Sequence, residues 1–147
     1  MKNTIEMQFG NFAGSAALRK LLTRTTVHKW VNHALAKPAE ITVRMVGEAE
    51  AQAMNLKFRG RAYATNVLTF DYTRDPVVTA DLVLCAPVVA REAAEQNKAL
   101  IDHYAHLITH GTLHAQGYDH ETNARDAFKM EALEILLLGA LGIANPY

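Results

Sequence analysis

Two stretches that alternate apolar and polar residues, with a helical stretch between them, set the terms on which this chain can fold. Ile5-Glu6-Met7-Gln8-Phe9 and Ile41-Thr42-Val43-Arg44-Met45-Val46 alternate with a period of two, as strands with one buried face do. Between them Val27, Trp30, Val31, Ala34 and Leu35 recur at i, i+3, i+4, i+7 and i+8, the stripe of an amphipathic helix. Lys37-Pro38 ends that helix, because proline disfavours a helical residue before it. Leu18, Leu21 and Leu22 fall on a different face, so Thr23–Thr26 is expected to separate a short helix from the longer one.

The pattern continues along the chain. Gly47 closes the second strand and Glu48–Leu56 has helical composition. Val67–Tyr72 and Asp81–Cys85 read as two more strands, separated by a turn containing Asp75-Pro76. Pro87 suits the first position of a helix. A break near Asn97–Asp102 divides that helix from another over 102–116. A last helix over Asn123–Gly139 has an expected apolar face of Phe128, Leu133, Leu136 and Leu137. No repeat, low-complexity stretch or linker interrupts the 147 residues. The expectation is one α/β (α+β) domain over 1–147, with a small central sheet of about four strands packed with helices.

Composition excludes several classes. No apolar run reaches membrane-spanning length, and residues 1–30 lack the apolar centre and small-residue cleavage site of a signal peptide. A reduced, cytoplasmic location is the default expectation. The single cysteine, Cys85, rules out an intrachain disulfide and a four-cysteine zinc site; it falls in a strand and reads as packing. Lys+Arg and Asp+Glu both total 15, which argues against a uniformly basic nucleic-acid coat. The balance is uneven, however. Residues 1–64 hold ten Lys/Arg against four Asp/Glu, and residues 65–147 hold five against eleven. Two solvated surfaces of opposite sign would give that split, and so would a polyanion-facing first half joined to a metal or acid/base centre in the second.

Five of the seven histidines lie between 103 and 120. In His110-Gly-Thr-Leu-His114-Ala-Gln-Gly117-Tyr-Asp-His120, the first two histidines are four apart and project from one helix face. Gly117 suits the left-handed position that ends a helix, and His120 follows within reach as a third nitrogen. Three imidazoles and a position left for water describe a catalytic zinc site, here on a helix and the turn after it. The spacing is that of the metzincin motif H-E-x-x-H-x-x-G-x-x-H, but Gly111 stands where that motif has its glutamate base. Glycine takes no proton, so peptide hydrolysis by that mechanism has lost its base.

Other residues near the motif read less sharply. His106 continues the four-residue series and fits either a supporting contact behind the ligands or a substrate contact, or else a solvated or core-edge histidine. Asp119 could orient a ligand imidazole or stabilise the turn. His103 reads as exposed, and His28 and His33 as structural. Lys57-Phe58-Arg59-Gly60-Arg61-Ala62-Tyr63 interleaves three cations with two aromatics, a composition suited to phosphate contact and base stacking, or else a solvated basic loop.

His110–His120 resembles, at every fixed position, the signature H-G-x-L-H-x-x-G-Y-D-H of bacterial YbeY-type endoribonucleases, the rRNA maturation factor family. Met54-Asn-Leu-Lys-Phe-Arg59 resembles the family's L-N-x-x-y/f-R segment, Thr65-Asn-Val-Leu-Thr-Phe70 its T-D-V-L-S-F, and Ala80-Asp-Leu82 its G-D-I. Met130 and Glu134 match a methionine and an acid of the family's final helix. The likeness spans roughly residues 27–140. It implies a single α/β domain with one Zn2+ per chain on His110, His114 and His120, and a functional arginine at Arg59. It further implies single-strand-specific cleavage of ribosomal RNA, notably at the 3′ end of the small-subunit precursor, and ribosome quality control. The expected partners are that RNA, a small-subunit ribosomal protein and a ribosome-associated GTPase, with no membrane. Departures are Asn66 for the usual aspartate, Ala80 for glycine, and Ala115-Gln116 for a commonly apolar pair.

The residues and the resemblance together predict catalytic roles for Arg59 and His114, with Lys57, Arg59 and Arg61 as RNA contacts. Two other classes remain alternatives. One is a non-catalytic zinc-containing ribosome-assembly or RNA-binding factor, favoured by the missing base at Gly111; the other is a metallopeptidase.

Overall fold

The computed structural model describes residues 3–61, 63–118 and 123–147. Along the chain run β1 (Asn3–Phe9), α1 (Ser15–Leu21), α2 (Arg24–Ala34), β2 (Ala39–Val46), α3 (Glu48–Arg59), β3 (Val67–Thr73), β4 (Val78–Cys85), α4 (Ala86–Glu95), α5 (Leu100–Ala115) and α6 (Ala124–Ala140). The sheet has the order β1-β2-β4-β3. β1, β2 and β4 run parallel, and β3 pairs antiparallel with β4 at one edge. This is the α/β domain with a four-stranded sheet that the alternation predicted.

The period-two residues divide as expected. Ile5, Ile41, Val43, Met45, Leu82 and Leu84 share one core with Val27, Trp30 and Val31 of α2 and Tyr104, Ala105 and Ile108 of α5. On the other face Val46, Leu68, Val83 and Cys85 pack with Ala51 and Met54 of α3 and Val88 of α4. Thr23 caps α2 by accepting from the Thr26 N–H, which is why 23–26 separates two helices. Asn97, at φ 53°, provides the left-handed residue that stops α4, so the break falls where it was predicted.

Three expectations need correction. α5 begins at Leu100 rather than 102. The buried stripe of α6 is Met130, Glu134 and Leu138, with Leu133 and Leu137 packed beside it, while Phe128 and Leu136 are exposed. A carboxylate occupies the middle of that stripe, so reading apolar residues alone rotates the face. His103, expected on the surface, is buried and bonds Glu92 of α4 through Nε2 at 2.9 Å.

Two of the departures from the family pattern have visible roles. Gln116 accepts from the Ala36 N–H and donates to the Ala34 carbonyl, both at 2.8 Å, tying the end of α2 to the end of α5. Asn66 donates to Glu92 at 3.0 Å and accepts from the Val67 N–H.

Cys85 is buried at the end of β4, as read from the sequence, and burial pushes its thiol pKa up. The native protein is therefore expected to resist an aromatic disulfide reagent at about pH 8, with the thiol titrating only after denaturation. Rapid labelling of the native form would show that this end of the sheet opens.

Candidate functional site

The site lies where the β3 edge meets α5 on one side and the C-terminal end of α3 on the other. α5 presents its inner face, including Tyr104, Ile108 and Thr112, to the core, and this fixes where the next positions point. His110 and His114, four apart on that helix, line a cleft of about 140 Å³. Asn55, Arg59, Arg61, Tyr63, Thr65 and Thr69 complete the cleft's polar lining.

Gly111 explains how α5 lies so close to the sheet. A Cβ there would stand 3.1 Å from Leu82 Cδ2 and 3.5 Å from Thr69 Oγ1. Leu82 is fully buried on a central strand and has little room to yield. The position that carries the base in metzincins thus faces the sheet in this fold and has no room for a carboxylate. At the helix end Gly117 takes φ 109°, as its left-handed role predicted, with the Tyr118 N–H returning to the Leu113 carbonyl at 3.3 Å.

Both imidazoles are held through Nδ1. His114 Nδ1 donates to the Tyr118 carbonyl at 3.0 Å; a carbonyl only accepts, so the proton sits on Nδ1 and the lone pair on Nε2. His110 Nδ1 donates to Glu134 Oε1 at 2.6 Å. Glu134 is fully buried on α6. Burial pushes its pKa up, but hydrogen bonds from His106, His110 and Tyr147, with the charge of His110, outweigh that and hold it at about 2. An ionised carboxylate behind an imidazole fixes the ring and raises its basicity, as the outer shell of a metal site does.

Donor chemistry at these two histidines therefore fits a borderline-soft divalent ion such as zinc. They supply two of the three predicted ligands. The third, His120, and the turn residue Asp119 lie outside the described residues. Among the described residues no three His, Cys, Asp or Glu side chains assemble as a metal group. His106 sits behind the site, its Nε2 3.5 Å from Glu134 Oε1 and 3.3 Å from the Tyr147 hydroxyl.

The opposite wall comes from α3 and the segment after it. Gly60, at φ 68°, ends the helix in the left-handed region. Buried Asn55 then donates to the Tyr63 carbonyl at 2.7 Å, folding the following segment over the helix end. Arg59 donates to the Thr69 carbonyl at 3.0 Å and lies 6.0 Å from the Phe70 ring centroid. Arg61 donates to the Tyr63 hydroxyl at 3.1 Å. Lys57 holds its ammonium over the Phe58 ring, 5.3 Å from the centroid, and is not part of the cleft lining. The fold thus brings Arg59 and Arg61 to the histidines but leaves Lys57 apart.

Sequence reasoning missed Asn55 as the organiser of the basic segment, Thr65 and Thr69 as cleft wall, and Tyr147 as a partner of Glu134. Asn55 stood inside a quoted motif, and a lone polar residue in an amphipathic helix was the available signal. Tyr147 gave none.

A mixed four-stranded sheet with a histidine pair facing two arginines defines a small α/β protein whose cleft can hold a cation and an anionic ligand together. The chain belongs to the endoribonuclease YbeY family, whose sequence model matches residues 6–142. It is similar to the protein named endoribonuclease YbeY from a Polaromonas species, 65% identical over 97% of this chain and 93% of that protein. It is also similar to those of Polaromonas naphthalenivorans and Paracidovorax citrulli, each 60% identical over 98% of this chain and 95% of the relative. A Thermotoga maritima protein solved in solution has the same fold, with a TM-score of 0.60 and 26% identity over 95% of this chain and 92% of that one. Among the described residues no helix is long and apolar enough to cross a membrane.

Proposed function

We propose that this protein is a zinc-dependent endoribonuclease that cuts single-stranded ribosomal RNA, with the 3′ end of the small-subunit precursor as its target and ribosome quality control as its setting. The observation that carries this reading is the cleft itself: His110 and His114 on one wall, Arg59 and Arg61 on the other, and no carboxylate among the described lining residues. Such a lining attracts a phosphodiester and repels nothing in it. The relatives' shared name supplies the endoribonuclease class.

In this reading His110, His114 and His120 hold one zinc ion. When bound, the ion supplies Lewis-acid polarisation of a phosphodiester or activation of a water. Arg59, exposed and anchored by a hydrogen bond to the Thr69 carbonyl, presents the rest of its planar fork to phosphate oxygens. It would also bind the extra charge that develops on the phosphoryl group. Tyr63 and Phe58, both more than half exposed, offer faces on which unpaired bases stack. Glu134 keeps the His110 proton on Nδ1. The wider expectations follow from the family: a small-subunit ribosomal protein and a ribosome-associated GTPase as partners, in the cytoplasm.

Arg59→Ala is expected to lower kcat/KM on precursor small-subunit RNA by about 10- to 100-fold, the equivalent of one or two charge-assisted hydrogen bonds. Arg59→Lys should recover part of the loss. Unchanged cleavage in Arg59→Ala would remove the arginine from the mechanism, and undiminished cleavage by chelator-treated wild type would remove the metal.

A second reading is favoured by the same lining, whose described residues include no carboxylate to act as base. In it the protein is a zinc-containing RNA-binding assembly factor without catalysis. It requires that the purified protein cut nothing at stoichiometric amounts while Arg59→Ala weakens RNA or ribosome association. The space at Gly111, filled by Leu82 and Thr69, leaves the metallopeptidase alternative without a base at the position where metzincins carry it.

A further inference from the structure

Behind α5 the last residues of the chain form a strap that ends on the buried carboxylate of the site. After α6 the Ile143 N–H bonds the Leu138 carbonyl at 2.9 Å, and Ile143 packs against the main core. Lys98, from the segment between α4 and α5, donates to the Pro146 carbonyl at 2.8 Å. Asn145 accepts from the Tyr147 N–H at 2.9 Å. The Tyr147 ring stands edge-on to His106, with centroids 5.3 Å apart. Its hydroxyl donates to Glu134 Oε2 at 2.6 Å, while Oε1 takes the His110 Nδ1–H at the same distance.

We propose that Tyr147 is a positioning residue of the site, acting through Glu134 on the His110 imidazole. The proposal rests on the metal-centre reading given above. The torsion that turns a glutamate carboxylate is broad and roughly two-fold. His110 and the more distant His106 both meet Oε1, and contacts on one oxygen alone leave that torsion soft. A second bond on the other oxygen fixes the carboxylate plane, and with it the direction in which Oε1 meets His110. The strap sets where the hydroxyl stands, so a segment remote from the histidine motif in sequence defines the orientation of one of its rings.

Tyr147→Phe removes the hydroxyl and keeps the ring against His106. Zinc affinity of the purified protein, measured by chelator competition well below its melting temperature, is expected to weaken about tenfold, the lower end of what outer-shell partners contribute. In metal-free protein with 15N-labelled histidine, His110 is expected to carry its ring proton on Nδ1 at neutral pH in the wild type. A mixture of tautomers is expected in Tyr147→Phe. Lys98→Ala, which releases the strap without touching Glu134, should shift both readouts the same way by less. Wild-type affinity and wild-type His110 signals in Tyr147→Phe would overturn the proposal, even if the melting temperature fell, because Tyr147 would then be a packing residue only. If the wild type itself binds no zinc, the metal reading fails, and the His110 tautomer still decides whether Tyr147 positions the ring.

Discussion

Replacing His114 with alanine is expected to abolish tight zinc binding and to reduce RNA cleavage by about 100-fold or more, since an ion that polarises the phosphoryl group supplies several kcal/mol of transition-state stabilisation. The fold should survive. His114 lies on the cleft side of α5, and the core in this turn is held by Leu113 and Ala115, which are both buried. The change removes the hydrogen bond to the Tyr118 carbonyl in the turn after the helix. Metal content, far-UV circular dichroism and cleavage of precursor small-subunit RNA on the same sample check all three parts. Full cleavage by a metal-free, folded His114→Ala protein would sink the mechanism, and equal cleavage by this variant, Arg59→Ala and wild type would point to a contaminating nuclease.

Glu134→Gln should be strongly destabilising for so conservative a change, costing about 1–3 kcal/mol by denaturant titration at neutral pH, the cost of leaving a buried hydrogen-bonding group mis-paired. Both carboxylate oxygens accept, one from His110 and the other from Tyr147. A glutamine has only one acceptor oxygen, so its NH2 group must face one of those donors. The charge also sets an acid dependence. The folded-state pKa of about 2 lies below the ordinary 4.5. The stabilisation is therefore complete above about pH 4.5 and is lost as pH falls through 2; it amounts to about 3 kcal/mol. In Glu134→Gln that part of the acid dependence should vanish. A variant as stable as wild type at neutral pH would mean that Glu134 gains nothing from its three donors.

The order and extent of most elements were legible because period two and period 3.6 are properties of the backbone that local sequence must obey. The histidine pair was legible for the same reason: a spacing of four on a helix places two side chains together whatever surrounds them. What sequence did not show was decided by long-range packing. Position 134 breaks an otherwise apolar stripe, and the three partners that make a buried carboxylate tolerable there come from α5 and the chain's last residue. His103 looked like a surface residue because Glu92, on the preceding helix, is visible as its partner only once α4 and α5 are packed. The wall formed by Thr65 and Thr69 depends on β3 joining the sheet beside β4, a register no local pattern specifies. The chain's charge split at residue 64 gains a spatial meaning as well. The basic half supplies the arginine wall of the cleft and the second half the histidine wall, with Glu134 screened behind it.

Strand edges invite other strands, and β3 sits at an edge of the sheet. Arg59 holds one backbone acceptor of that strand, the Thr69 carbonyl, with a charged group that a second protein chain would have to displace and desolvate. Displacing that guanidinium is a cost that edge-to-edge self-association would have to meet. On the proposed function, a phosphate that drew it away would bring its own nucleic acid to cover the exposed acceptor. Loss of Arg59 would uncover that acceptor as well as remove the proposed phosphate contact, so the solution behaviour of Arg59→Ala, and not its cleavage rate alone, would carry information about what this side chain does.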